Sequence, residues 1–129
     1  MDAAMRKELV EELSDAFGGA KDVTPADDQP AHVLLTNLQL PSGWSPSPTQ
    51  ALVRFTTGWP GERPFFYIST DVVDSNGQPP RNQGGSPSSL VQILGQNWRE
   101  FSFPFTWPNS RRTATRAVKL WLNRFELPG

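Results

Sequence analysis

The sequence predicts an α+β domain on three observations: apolar residues at helical spacing near both ends, strand-like runs between them, and a change of hydrophobic period after residue 30. Its 129 residues and 14.4 kDa suit one domain with a single core, residues 1–129. Met5, Leu9, Val10, Leu13 and Phe17 recur at helical intervals, and Gly18-Gly19 supplies a stop, so residues 1–18 read as a first helix. Residues 19–30 are polar, carry Pro25 and Pro30, and read as a linker. Residues 31–40 (AHVLLTNLQL), 50–57 (QALVRFTT) and 64–70 (PFFYIST) follow as three strands of an antiparallel meander, joined by turns rich in Pro, Gly and Ser.

Residues 74–89 (DSNGQPPRNQGGSPSS) hold three prolines, three glycines and no apolar side chain. Such a run cannot feed a core and is expected to cross the surface as a long irregular loop. Residues 90–94 and the aromatic run 98–107 (WREFSFPFTW) return apolar surface to the chain. Ala114, Ala117, Val118, Trp121, Leu122 and Phe125 share one face of a last helix, with Asn109, Ser110 or Thr113 as its cap.

Composition narrows the chemistry. There is no cysteine, which removes disulfides, thiolate metal sites and a thiol nucleophile together. A single histidine, His32, argues against a histidine-built metal site or a Ser-His-Asp triad, and no metal or cofactor is expected. The formal net charge of -1 recruits neither nucleic acid nor an anionic membrane. No apolar run is long enough to span a bilayer and the amino terminus is not signal-like, so a cytoplasmic protein is expected.

Charge is unevenly spread: residues 1–28 carry eight acids against three bases, and residues 99–129 six bases against two acids. The two ends are therefore expected either to attract one another or to form separate partner surfaces, with Arg112 and Arg116 as candidates for an acidic partner. Phe65, Phe66, Phe101, Phe103, Phe105, Trp107 and Trp121 are expected in the core. Trp44 and Trp59 sit in Pro/Gly turns and are the candidate partner contacts.

Three local signatures resemble the ubiquitin-conjugating (E2) family: the proline turn Gly58-Trp59-Pro60-Gly61-Glu62-Arg63-Pro64-Phe65, a loop from Asn76-Gly77 to Leu94, and Trp98 downstream of it. Leu40-Pro41-Ser42-Gly43-Trp44, together with Asn97-Trp98-Arg99-Glu100-Phe101-Ser102 and Trp107-Pro108, is similar to the prokaryotic E2-like proteins of the "family E" type. The resemblance runs from about Leu34 to Phe125. It implies an E2-like fold in a bacterial conjugation pathway, with antiphage defence as a setting. The implied partners are a ubiquitin-like protein, an E1-like adenylating enzyme and a deconjugating peptidase.

The departures from the family shape the functional expectation. An E2 carries its modifier on a cysteine thiolate, and this chain has none. The His-Pro-Asn element is missing as well, leaving Asn76 and Asn82 as the oxyanion candidates, and the first helix is acidic where many E2s are basic. Two readings follow: a transferase that holds the modifier as an oxyester on Ser86, Ser88 or Ser89, or a non-catalytic variant that binds it. The alternative from another class is a peptide- or carbohydrate-binding module with Trp44, Trp59 and Trp107 as a stacking platform.

Overall fold

A computed structural model of the chain describes residues 1–26, 28–81, 88–100, 107, 110 and 113–126. The element order is α1 (Ala3–Phe17), β1 (Ala20–Asp22), β2 (Ala31–Leu38), β3 (Thr49–Phe55), β4 (Phe65–Ser69), β5 (Ser89–Ile93), β6 (Gln96–Glu100) and α2 (Ala114–Leu122). A 3-10 turn, Asn123–Glu126, extends α2. The fold is the α+β arrangement expected, an antiparallel sheet with an N-terminal and a C-terminal helix. No helix among the described residues is long and apolar enough to cross a membrane.

Local chemistry accounts for the helix ends. Asp2 caps α1 by accepting the Met5 N–H at 2.8 Å, and Gly18, at φ 82°, donates its N–H to the Ser14 carbonyl in the left-handed turn that ends the helix. Thr113 caps α2 by accepting the Arg116 N–H. The Glu12 carboxylate of α1 adds a second cap, accepting both the N–H and the hydroxyl of Thr115. An anion at a helix N-terminus is favoured by the helix dipole, so this contact ties the two ends of the chain together electrostatically.

The sheet has six strands in the order β1-β2-β3-β4-β6-β5, where three had been expected. The meander β2-β3-β4 is as read from the sequence. Two additions enlarge it. Ala20–Asp22, expected within the linker, pairs with β2 through Ala20↔Leu35 and Asp22↔Val33. Three residues with two charges show no alternation, so nothing local marked them as a strand. The second addition is the β5–β6 hairpin, whose start at Ser89 shortens the expected loop by one residue. Its tip, Leu94-Gly95, has both residues at positive φ (53° and 77°), the geometry of a tight hairpin turn.

Strand alternation separates two faces. Ala31, Val33 and Leu35 of β2, Ala51, Val53 and Phe55 of β3, and Phe66 and Ile68 of β4 are buried with Leu9 and Leu13 of α1 and Val118 and Trp121 of α2. Trp121 is fully buried, stacked on Phe66 at 5.0 Å between ring centroids and edge-on to Phe125. On the other face Leu52, Tyr67 and Trp98 are buried with no helix over them among the described residues. The sheet's own curl covers them. Val23, just after β1, and Ile93 and Leu94, at the opposite end of the strand order, line the same cavity of about 190 Å³. A flat sheet would hold its outer strands about 24 Å apart, so the sheet coils until its ends approach across this concave face.

Because Trp121 joins α2 to the sheet, Trp121→Ala is expected to cost about 3–5 kcal/mol of stability. Urea denaturation would show this as a lower midpoint with an unchanged slope; an unshifted midpoint would contradict the packing described.

Candidate functional site

The segment expected to carry chemistry begins at the end of β4. Ser69 donates its hydroxyl to Asp71 at 2.6 Å, and Asp74 Oδ1 accepts the N–H groups of Asn76 and Gln78 at 2.8 and 3.0 Å. Asp71 and Asp74 thus both have local partners, and Asp74 builds the turn on which Asn76 lies exposed. The Ser88 N–H donates to the Pro80 carbonyl at 3.3 Å and closes the base of the loop. Ser88 itself is buried, with Arg99 Nη1 donating to its carbonyl at 3.0 Å and lying 3.5 Å from its hydroxyl. A guanidinium stays protonated at any ordinary pH, so Arg99 can orient this hydroxyl but cannot take its proton.

Ser89 lies exposed on β5 opposite Glu100. No hydrogen bond joins Asn76 to Ser88 or Ser89 among the described residues. The other candidates in this loop, Ser86 and Asn82, and the basic candidate Arg112 lie outside the described residues. So do Phe101, Phe103 and Phe105.

The remaining sequence candidates have structural partners. Trp44 is half-buried, donates Nε1–H to the Phe125 carbonyl at 2.7 Å and meets the Phe125 ring edge-on at 5.2 Å. Trp59 packs on Phe55 at 4.8 Å and on Trp107 at 5.6 Å, and Trp107 donates to the Pro60 carbonyl. The Trp59 and Trp107 rings are inclined by 37° to each other, so they do not share a plane. Arg116 donates Nη1–H to the Ser110 carbonyl at 3.2 Å, next to the cap of its own helix.

The arrangement that sequence reading missed is on the concave face. Pairings His32↔Arg54 and Arg54↔Phe65 set these three side chains in one row, and Leu52↔Tyr67 and Tyr67↔Glu100 form the next. The Arg54 guanidinium carbon is 4.9 Å from the Phe65 ring centroid and 5.9 Å from that of Tyr67. Arg54 Nε is buried without a hydrogen-bond partner, and no carboxylate pairs with Arg54 among the described residues. Phe65, expected in the core, is instead 41% exposed, because it alternates with the buried Phe66 and points away from the helices. An arginine stacked on an aromatic ring beside an exposed phenylalanine has the composition of a protein-binding hot spot.

Burial lowers the pKa of His32 from its usual 6.5, and the neighbouring Arg54 charge acts in the same direction, against an Nδ1–H bond to the Pro30 carbonyl and the Asp22 charge. A carbonyl can only accept, so Nδ1 bears the proton and the ring is neutral at pH 7. Tyr67 shifts the other way: burial, helped by Glu100, raises its pKa against the opposing effect of Arg54.

Comparison of the chain with family models, with curated proteins and with solved structures gave no match.

The His32 shift has a definite sign in stability. The unfolded chain binds the proton more readily than the folded one, so the neutral-ring contribution is complete above pH 6.5 and is lost as pH falls below it. A His32→Asn variant is expected to lose stability less steeply than the parent between pH 6.5 and about 5. Titration of the imidazole by NMR should give a midpoint below 6.5, and one at or above that value would contradict the burial argument.

Proposed function

We propose that the chain is a non-catalytic E2-like component of a bacterial ubiquitin-like protein conjugation pathway, which binds the modifier through the concave face of its sheet. The family half of this reading rests on the proline turn at Gly58–Phe65, on the loop that follows the meander, and on Trp98. The element order agrees with it: first helix, meander, irregular segment, last helix.

The binding half is carried by one observation, the Arg54 guanidinium held over Phe65 and Tyr67 with no carboxylate partner among the described residues. Desolvation and stacking have already fixed the side chain, so little conformational entropy remains to be lost when a partner's carboxylate or carbonyl approaches. The apolar cavity alongside, walled by Leu34, Leu52, Trp98 and Leu94, offers room for an aliphatic side chain of the same partner. A charged aromatic anchor beside an apolar pocket suits a small protein better than a sugar, for which coplanar exposed rings are wanted. The absence of cysteine and the burial of the Ser88 hydroxyl against Arg99 favour binding over covalent carriage.

In this reading the E1-like enzyme and the deconjugating peptidase act on the modifier while this chain holds or presents it. The purified modifier titrated into labelled protein should perturb the amides around Arg54, Phe65 and Tyr67. Arg54→Ala is expected to weaken the complex by about tenfold or more, as loss of an interface hot spot does. Incubation with the E1-like enzyme, the modifier and ATP should leave the intact mass of this chain unchanged. A thiol-resistant, alkali-labile adduct abolished by Ala at Ser86, Ser88 or Ser89 would instead establish the oxyester carrier.

A further inference from the structure

The two edges of the sheet are chemically unequal. β1 is three residues long, carries Lys21 and Asp22, and is followed directly by a turn in which Asp22 Oδ1 accepts the Thr24 N–H and Thr24 Oγ1 accepts the His32 N–H. Asp22 is also held by Arg6 at 2.8 Å. Short, charged and turned away, this edge resists further pairing. β5 has none of those protections. Its sequence, Ser89-Leu90-Val91-Gln92-Ile93, has no charge, no proline and no glycine, and its outer side pairs with no strand among the described residues. Leu90 is 64% exposed, more than any other large apolar side chain described. It extends to the side of the sheet where α1 packs on β1 and β2, and among the described residues neither helix packs closely on β5.

We infer that β5 is a self-association edge, on which a second copy of this chain pairs antiparallel about a two-fold axis at Val91. An axis at Val91, the middle residue of β5, is the one that pairs the whole strand. Val91 stands opposite its own mate, Leu90 opposite Gln92 of the other copy, and Ser89 opposite Ile93, so no charge faces a like charge anywhere along the new pairing. Within each chain Val91 is already paired with Trp98. The two-fold therefore produces an unbroken row on the concave side, Trp98, Val91, Val91 and Trp98, in which β-branched and aromatic neighbours alternate as stable cross-strand pairs prefer. A charged peptide would gain the same backbone hydrogen bonds but no matching row. A second copy supplies both, and the two six-stranded sheets become one.

The inference does not rest on the proposed function: Arg54, Phe65 and Tyr67 take no part in it, and Trp98, which walls the cavity, enters only through its existing pairing with Val91. Its test uses exposed positions, so that folding is preserved. Sedimentation equilibrium of the parent chain at concentrations up to about 1 mM should give a dimer, as expected for even a weak edge-to-edge pairing. Leu90→Lys with Gln92→Lys places like charges directly opposite and should weaken association by at least about tenfold, as should Leu90→Glu with Gln92→Glu. Far-UV circular dichroism would confirm that both variants are folded. Mixed one to one, the Lys and Glu variants should restore the dimer. A parent chain that stays monomeric over the whole range, or variants that dimerise as well as the parent, would overturn the inference.

Discussion

 Glu12 lies near the amino terminus, yet its carboxylate receives both the N–H and the hydroxyl of Thr115, 103 residues along the chain. Closing so long a loop is entropically costly, and the contact persists because α1 and α2 must both bury an apolar stripe on the same face of the sheet. The carboxylate fixes where one helix begins against the flank of the other, and the Trp121–Phe66 stack then fixes how α2 lies on the strands. With both helices committed to that side, no described helix covers the opposite face, where residues from the two ends of the strand order close on one cavity. The concave surface bearing Arg54, Tyr67 and the apolar cavity is thus a consequence of how the chain's ends are joined.

Much of this architecture was legible in the sequence. The two helices announced themselves through apolar spacing, and β2, β3 and β4 through short apolar runs between proline-rich turns. β1 was illegible because three residues carry no period, and the β5–β6 hairpin because its polar inner residues, Gln96 and Asn97, and its leucine tip resemble no ordinary turn signal. The site was harder to read. Leu34 and Leu52 place apolar side chains on the second face, so the strands look apolar on both sides and the alternation that sets Arg54 apart from Val53 and Phe55 is blurred. Phe65 and Phe66 are adjacent and chemically identical, and only the register tells which one faces out.

The candidate serine illustrates a different limit. Nothing within the loop sequence marks Ser88 as buried, because its environment is set by Arg99, which reaches it from the neighbouring strand. Sequence order placed Ser88 where a nucleophile was wanted; pairing of β5 with β6 surrounds it with a cation that orients without activating. The tryptophans behave similarly. Trp44 and Trp59 occupy turns, yet each reaches back to the core, one to Phe125 and the other to Phe55. Turn position alone is therefore a weak guide to exposure for a side chain that long.

Leu94 carries a consequence for how this molecule can change over generations. It holds a left-handed backbone, φ 53°, that asparagine or glycine adopts more readily, while its side chain is half exposed at the lip of the concave cavity. Replacement by either residue would ease the turn and, in the same step, strip the cavity of one wall. The two demands pull in opposite directions at a single codon, so drift toward a sturdier hairpin is also drift toward a shallower, more polar groove. A lineage that retains a bulky apolar residue at this tip is one in which the groove is under selection.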